Sequence, residues 1–498
     1  MAKKSIWGLL CVILALALYT IAIRGNHTDS DYLVIASEAV MQDAEWADVA
    51  NAIASKHDAD VVTFASTPRE ALEQIKSAYP RYVAIVDKPE NIGRDYVIDL
   101  HKVCREVDGD IYGDFLWGII TGYDADAAMR MVNNSTEPLL IKDAVATIME
   151  LNSAKWFDNY AWVDDHTRGL WGYKNGRDGE IVTAMVEKEE VLGKFCELYE
   201  AYDPDLIVTA AHATQKNLEM PYSLGHLKPR DGKLYAHNIF TDEEFDINES
   251  GKRRVYTAVG NCLIGDMNNT RESMAAAWMN GSNAATMIGY VVTTWHGRAG
   301  WGALKYWVTS PDRYTLAEAV YMNEQDFLHQ HSIWTPELLN EDYNYCDGWR
   351  EELLCASERL SQAQNREVDL DNPADWDMAG FWHDRDVLIY YGDPKWDVKL
   401  QSVASELDHT ITTKRKGNKY IITVTTNEDF SLERMRGDKF KQEHVLDLPF
   451  NYFFPERLSN ARLADGEEWD AIVDENFILI YNAEFEPNST YTITLDIE

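Results

Sequence analysis

Short hydrophobic runs alternate with amphipathic segments from Asp31 onward, as strands alternate with helices in α/β proteins. The runs predict buried strands at Tyr32–Ala36, Asp60–Ala65, Tyr82–Val86 and Phe115–Thr121. The intervening segments have apolar residues at helical spacing and predict helices over Asp43–Ser55, Thr67–Ala78, Arg94–Glu106 and Ala125–Val132. Because strands that are apolar at every position are buried on both faces, the pattern predicts a mostly parallel sheet flanked by helices.

The alternation stops between Lys155 and Asp178, where Trp, Asp and Gly predict a long loop or a small antiparallel excursion. It resumes with strands predicted at Leu206–Ala210, Val255–Val259, Thr286–Thr293 and Val387–Tyr391. Helices are predicted at Val186–Tyr202, Arg271–Met279, Leu316–Gln330 and Pro336–Ser361. The polar segment Lys216–Lys252 contains Pro and Gly and is expected to be a loop.

The pattern changes after about Ala404 to alternating polar and apolar residues without predicted helices. His409–Thr413 and Tyr420–Thr426 flank Gly417-Asn418, which predicts a β-hairpin, and two further strands follow at Phe477–Tyr481 and Thr490–Ile497. We therefore predict an immunoglobulin-like antiparallel β-sandwich over residues 401–498. It would follow an N-terminal α/β subdomain (30–150) and a second α/β subdomain (151–400).

The N-terminal segment combines basic and apolar residues. Lys3 and Lys4 precede an apolar or neutral stretch from Ile6 to Ile23, which Arg24 closes. This pattern predicts that residues 1–25 are a signal peptide or a membrane anchor. Both interpretations place the rest of the chain outside the cytoplasm, with membrane contact through this segment only.

Composition narrows the choice of partners. Lys and Arg number 46 against 83 Asp and Glu, so the formal net charge is −37, which disfavours binding to a nucleic-acid phosphate backbone. Six cysteines are too few for a disulfide scaffold, although Cys346 and Cys355 are close enough in sequence to pair. No motif requires a cofactor, and the many carboxylates leave a Ca²⁺ site open without supporting one.

The candidate chemistry lies in one histidine and one cysteine, each just beyond a predicted buried strand. His212 follows the run at Leu206–Ala210, and Cys262 follows the run at Val255–Val259. Ligands of open parallel sheets bind beyond the carboxyl ends of strands, so both side chains could reach one crevice. A histidine within hydrogen-bond reach can deprotonate a thiol, which makes the pair a candidate for nucleophilic catalysis.

These stretches resemble the caspase-like cysteine peptidases, and within them the gingipain-type branch. LIVTAAHAT (206–214) and VYTAVGNC (255–262) have the family's order of a strand ending in the catalytic His and a strand ending in the catalytic Cys. LIYYGDP (388–394) resembles the end of the catalytic domain, and a β-sandwich follows in both cases. The resemblance implies a caspase-like domain and peptide-bond hydrolysis, with His212 as the base and Cys262 as the nucleophile acting on a peptide or protein substrate.

The chain departs from the family pattern at two positions. Ala213 stands where Gly usually follows the catalytic His, and Asn261 stands where the residue before the nucleophile is commonly small. The N–H groups of Ala213 and Cys262 could still form an oxyanion hole. The alternative is a catalytically inactive homologue that acts as a surface binding module. A metal hydrolase using His212, His226 and His237 is a third hypothesis, although their spacing fits no compact ligand motif.

Further residues are candidates for substrate binding. WHGRAGWG (295–302) is expected to be a substrate-facing loop, in which Trp295 offers a flat wall and Arg298 could pair with an acidic group. The alternative is a packed aromatic loop with Arg298 in solvent. His296-Gly297 matches the His-Gly pattern better than His212 does, but no strand ending in a cysteine follows it. Asp124 could line an acidic specificity pocket for Lys or Arg, or it could cap a helix.

Overall fold

The computed structural model describes residues 31–148, 157–346, 348–402, 407–437 and 446–498. The predicted signal or anchor segment, residues 1–25, lies outside the described residues. Within these ranges no helix is both long enough and apolar enough to cross a membrane.

The strands of the described ranges fall into two halves of the chain. In the first half they are β1 (Tyr32–Ser37), β2 (Asp60–Phe64), β3 (Tyr82–Val86), β4 (Leu116–Ile120), β5 (Leu139–Ile141), β6 (Asp143–Ala146), β7 (Asn159–Val163), β8 (Leu170–Lys174), β9 (Val182–Met185), β10 (Leu206–Thr209), β11 (Ala213–Thr214), β12 (Asn217–Glu219), β13 (His226–Arg230), β14 (Lys233–Asn238) and β15 (Glu243–Asp246). In the second half they are β16 (Arg254–Ala258), β17 (Ala284–Tyr290), β18 (Leu388–Tyr391), β19 (Val398–Leu400), β20 (His409–Lys416), β21 (Lys419–Thr426), β22 (Phe450–Phe453), β23 (Arg462–Leu463), β24 (Ala471–Val473), β25 (Phe477–Ile480) and β26 (Thr490–Asp496).

The α-helices are α1 (Glu38–Met41), α2 (Ala44–His57), α3 (Leu72–Ala78), α4 (Arg94–Arg105), α5 (Ala125–Asn134), α6 (Val191–Tyr202), α7 (Met274–Asn280), α8 (Arg298–Val308), α9 (Leu316–Trp334), α10 (Trp349–Gln364), α11 (Pro373–Asp384) and α12 (Leu432–Met435). Single 3₁₀ turns lie at Pro68–Ala71, Pro89–Asn91, Lys188–Glu190, Pro221–Ser223 and Pro336–Leu338.

A central sheet organises the α/β part of the molecule. In the described part of the chain it has twelve strands, in the order β2-β1-β3-β4-β18-β17-β16-β10-β6-β7-β8-β9. The strands from β2 to β18 are mutually parallel, and so are those from β17 to β7. β17 and β18 are antiparallel, so these two blocks run in opposite directions. The carboxyl ends of β10, β16 and β17 therefore share one edge of the sheet, and those of β1, β3 and β4 lie at the other.

The predicted mostly parallel sheet flanked by helices is confirmed. β1, β3 and β4 are buried at every residue, as their uninterrupted apolar sequences predict. The segment near Lys155–Asp178, predicted to be a long loop or a small antiparallel excursion, contains β7 and β8, which pair antiparallel within the central sheet. Among the strands that escaped prediction are β5 and β6, each only three or four residues long.

The polar segment Lys216–Lys252 is not a loop, contrary to the prediction. β11 to β15 form an antiparallel sheet there, and β13 and β14 make a tight hairpin. Asp231 and Gly232 both have positive φ at its turn, as the commonest two-residue hairpins require. Leu227 and Ala236 face each other on the buried side of this hairpin. Because so few of its residues are apolar, the sequence contains no long apolar run that would have predicted the strands.

The C-terminal sheets form the predicted antiparallel sandwich, with strand orders β20-β21-β26-β23 and β22-β25-β24. The predicted hairpin turn lies at Gly417-Asn418, between β20 and β21. β25 is buried on both faces because its residues alternate between two cores. Ile478 and Ile480 face the interior of the sandwich, whereas Phe477 and Leu479 belong to the core that contains the central sheet.

Candidate active site

The ends of β10 and β16 bring the predicted histidine and cysteine to one edge of the sheet. The two strands are adjacent and parallel, with Thr209 opposite Ala258. His212 and Cys262 follow these paired residues after three and four positions, so both lie beyond the same edge. The fold therefore provides the neighbouring strand ends on which the Cys-His hypothesis depends.

Two hydrogen bonds join the segments that follow these strands. The Nδ2 of Asn261, which is 0% exposed, donates to the carbonyl oxygen of Ala211 at 2.8 Å. Further along, the Nε2 of Gln215 donates to the Oδ2 of Asp266 at 2.9 Å. Each bond connects a residue near His212 with a residue near Cys262, so side chains hold the two segments together beyond the last strand pair.

The thiol of Cys262 is held by a backbone group. Its Sγ donates to the carbonyl oxygen of Thr294 at 3.4 Å, and burial raises the pKa of the thiol above its ordinary value. The His212 side chain is exposed, and among the described residues no hydrogen bond joins its ring to Cys262. The resting structure thus has the two groups at one edge without direct contact between them.

The turn after Cys262 is unusual. Leu263 has φ +58, a left-handed conformation that bulky residues rarely adopt. Its N–H donates to the carbonyl oxygen of Val292 beyond β17, which helps to hold this conformation. Backbone strain of this kind is concentrated at functional sites, and nothing in the amino-acid pattern signalled it.

Ala213 does not need the conformational freedom of the glycine that it replaces. It is absent from the residues with positive φ, and it pairs with Leu218 in the β11–β12 ladder. The neighbouring Glu219 N–H donates to the His212 carbonyl oxygen at 2.9 Å, which makes Ala213–Leu218 the non-hydrogen-bonded type of pair. The Ala213 N–H consequently points away from β12, as an oxyanion donor at this edge strand would have to.

A polar groove of about 1070 Å³ reaches Leu263, the residue after Cys262, while Cys262 and His212 themselves are not part of its wall. Leu263 and Thr293 contribute to its wall, and so do the bonded pair Gln215 and Asp266. Carboxylates outnumber cationic groups along it. Its acidic residues are Asp95, Asp99, Asp266, Asp342, Glu352 and Asp386, and its basic residues are Arg94 and Lys102. Some of these carboxylates are in ion pairs, among them Asp342 with Lys102 at 2.6 Å and Asp386 with Arg105 at 2.6 Å, but the residues that line the groove are acidic in sum.

The WHGRAGWG segment is not the predicted loop throughout. Helix α8 begins at Arg298, which is 3% exposed, is bonded to Asp377 and lies 4.5 Å from the Phe381 ring centre. Arg298 is therefore not in solvent, as one alternative proposed, but packs against α11; a substrate contact by Arg298 stays a prediction. Arg298 is buried because α11, which carries Asp377 and Phe381, packs against α8, and the sequence pattern did not reveal that helix.

Trp295 and the rival His296 belong to an aromatic cluster. Trp295 is half-buried and donates from Nε1 to the Glu352 Oε1 at 3.0 Å. His296 is 3% exposed, and its ring packs against those of Trp295 and Trp376. Burial in this cluster makes His296 a poorer candidate for a substrate-facing base than the exposed His212. A substrate contact by Trp295 stays a prediction.

Asp124 lies away from the candidate pair. Its carboxylate accepts a hydrogen bond from the Ala127 N–H at 2.9 Å and caps helix α5, which is the alternative that the sequence left open. Asp124 follows β4, whose carboxyl end lies at the opposite sheet edge from those of β10 and β16. Asp124 was predicted for the pocket because it follows a strand end. The reversal of direction between β17 and β18 places that strand end at the edge of the sheet opposite His212 and Cys262.

Of the three histidines in the metal-hydrolase hypothesis, only His226 and His237 are brought close together by the described contacts. His226 and His237 face each other across the β13–β14 hairpin, with ring centres 6.2 Å apart. Their acidic neighbours differ, since His226 lies 3.9 Å from Glu219 and His237 lies 3.1 Å from Asp242. Over the described ranges, no group of three or more His, Cys, Asp and Glu side chains is arranged to hold a metal ion. Cys346 and Cys355 are not disulfide-bonded.

Comparison with known proteins gives matches at the level of structure. No protein-family model matches the chain, and no curated protein matches it in sequence. The complex of Porphyromonas gingivalis RgpB pro- and mature domains has a TM-score of 0.39 and 11% identity, covering 94% of this chain and 100% of that one. The Arg specific cysteine proteinase gingipain R (RgpB) gives 0.38 and 10%, covering 94% and 98%.

A third solved structure, described only as a protease, has a TM-score of 0.37 and 9% identity, covering 80% of this chain and 85% of its own. What this chain does is inferred from the geometry of its own residues.

Proposed function

We propose that this protein is a cysteine endopeptidase in which Cys262 is the nucleophile and His212 is the general base and acid. The observation that carries the proposal is the adjacency of β10 and β16, whose parallel ends deliver both residues to one edge beside a groove. The strained Leu263 directly after Cys262 supports it, because strained backbone is concentrated at functional sites.

The proposed reaction uses groups of this chain only. His212 takes the proton of the Cys262 thiol, and the thiolate adds to the scissile carbonyl carbon. The resulting oxyanion accepts hydrogen bonds from the N–H groups of Ala213 and Cys262. His212 then gives its proton to the leaving amine as the C–N bond breaks, and water hydrolyses the thioester with His212 again acting as base.

Substrate binding has to bring the two catalytic groups into contact. The exposed His212 ring can turn without disturbing the core, and a peptide in the groove would lie against Leu263 and displace solvent. Catalytic hydrogen bonds are often long in ligand-free structures and shorten in the substrate complex. The Thr294 carbonyl would release the thiol at the same time, because a thiolate has no proton to donate.

The acidic groove favours peptides that carry Lys or Arg. Asp266 is buried and accepts hydrogen bonds from Gln215 and from the Asn268 N–H, but it forms no ion pair among the described residues. Because it also contributes to the groove wall, it is the carboxylate that we assign to a substrate cation. Arg298, which could have favoured acidic substrates, is occupied by Asp377. We also propose an extracytoplasmic location, on the basis of the basic and apolar N-terminal sequence.

Profiling a peptide library with purified protein tests the proposal. Cys262→Ala should reduce cleavage to the uncatalysed level with little change in thermal midpoint, whereas Cys355→Ala should leave cleavage unchanged. Asp266→Asn should raise KM for peptides with Lys or Arg more than for neutral peptides. Cleavage that persists in Cys262→Ala would overturn the assignment. Peptide binding without turnover in the unmodified protein would favour the inactive binding module instead.

A further inference from the structure

The side chain of Asn261 joins the segment that precedes Cys262 to the segment that precedes His212. Its Oδ1 accepts from the Thr209 Oγ1 at 2.7 Å, while its Nδ2 donates to the Ala211 carbonyl oxygen at 2.8 Å. Thr209 also lies 2.8 Å from the Tyr256 hydroxyl. The bonds therefore run from Tyr256 on β16 to Thr209 on β10, back to Asn261, and across again to Ala211.

These hydrogen bonds are well suited to fix the distance between the segment before His212 and the segment before Cys262. Asn261 is 0% exposed, and Thr209 and Tyr256 are also buried, so water does not compete for the bonds among these three side chains, while the bond to the Ala211 carbonyl is partly buried. The Ala211 carbonyl belongs to the peptide that precedes His212. The next carbonyl, that of His212 itself, is held by the Glu219 N–H at 2.9 Å. The His212 backbone is thus fixed on both sides while its side chain stays exposed.

We propose that Asn261 is a positioning residue that sets the spacing between the His212 and Cys262 backbones, a role that rests on the proposed function. A small residue at this position could not reach Ala211, so the two segments would be joined by fewer bonds. Small displacements of catalytic groups lower kcat strongly. Asn261 does not contribute to the groove wall, so substrate binding should be affected much less than turnover.

Four variants test this role. Asn261→Ala removes both bonds, and Thr209→Val removes the donor to the Asn261 Oδ1 with little change in shape. Thr209→Ser keeps the hydroxyl and should restore activity relative to Thr209→Val. Thr257→Val is the matched control, because the buried Thr257 Oγ1 also joins β16 to β10, through the Ile207 carbonyl at 3.3 Å, but lies within the strands.

The measurements are kcat, KM and thermal midpoint with a peptide that the unmodified protein cleaves. We expect kcat to fall by about 10- to 100-fold in Asn261→Ala. Thr209→Val should show a smaller fall, and KM should change less than about threefold, in line with turnover being the affected step. Thr209→Ser and Thr257→Val should stay near the unmodified kcat.

The outcomes separate this inference from the proposed function. An active unmodified protein with full kcat in Asn261→Ala would overturn the positioning role alone. Equal losses of kcat in Thr257→Val and Thr209→Val would also overturn it, because the effect would then be general loosening of the strands. Absence of Cys262-dependent cleavage in the unmodified protein would overturn the proposed function, and the positioning role with it.

Discussion

The thiol of Cys262 donates its hydrogen bond to the carbonyl oxygen of Thr294, at 3.4 Å, and not to His212. Thr294 follows β17, the neighbour of β16 on the side away from β10. In the resting structure Cys262 is therefore bonded to the segment that follows β17. His212, its proposed base, follows β10 on the other side of β16 and is exposed.

This arrangement predicts how Cys262 responds to pH. Burial raises the thiol pKa, so alkylation of Cys262 by iodoacetamide in the absence of substrate should increase only above about pH 8.5, the ordinary thiol range. Mass spectrometry of the modified Cys262 peptide across a pH series measures this. Half-maximal alkylation below pH 7 would mean that His212 pairs with the thiolate before substrate arrives, contrary to the structure.

The two candidate histidines should respond differently to substitution. His212→Ala should lower kcat by about 100-fold or more, since it removes the proposed general base, and should leave the thermal midpoint nearly unchanged because the side chain is exposed. His296→Ala should lower the thermal midpoint, because the ring packs in a buried aromatic cluster. Unchanged turnover in folded His212→Ala, measured with the same peptide, would assign the base elsewhere.

Arg298 should matter for stability and not for substrate choice. Asp377→Ala would leave the buried Arg298 guanidinium without its partner and should destabilise the fold by about 3 kcal/mol. Asp371→Ala, at an exposed site nearby, serves as the control in urea unfolding. If Asp377→Ala unfolds at the same urea concentration as the control, the buried pair contributes nothing, and the packing role assigned to Arg298 would be wrong.

Acidic residues between the α/β part and the sandwich predict that stability falls as the pH rises from about 4 to 8. Burial, together with neighbouring carboxylates, raises the pKa of Asp114 and of Asp474 to about 8. Unfolded carboxyls have a pKa near 3.9, so the folded protein binds more protons between about pH 4 and pH 8. Stability from these groups is therefore lost as pH rises through that range.

Asp474→Asn tests this directly, because the neutral side chain cannot acquire the unfavourable charge. We expect it to raise the thermal midpoint at pH 8.5 relative to the unmodified protein and to raise it less at pH 5, where only the first part of the loss has occurred. Asp465→Asn, at an exposed turn of the sandwich, is the matched control. A shift of equal size at both pH values, or in both variants, would contradict the assignment to the buried carboxylates.

The sequence alone determined much of the architecture. Strands that are apolar throughout, such as Tyr82–Val86 and Leu206–Thr209, were predictable because burial on both faces leaves no room for polar residues. The order of strands also placed His212 and Cys262 after two of them. The hairpin at Gly417-Asn418 was predictable because Gly417, with φ +62, adopts a backbone conformation that glycine accepts most readily.

Only the tertiary structure decided which polar side chains belong to the site. Asn261 looked like a departure from a family pattern until its bond to Ala211, 50 residues away, was visible. Arg298 meets a partner 79 residues away, and Asp124 is set apart by the reversal of direction between β17 and β18. Hydrophobic burial is recorded locally in sequence periodicity, whereas the role of a polar group depends on the partner that distant segments bring to it.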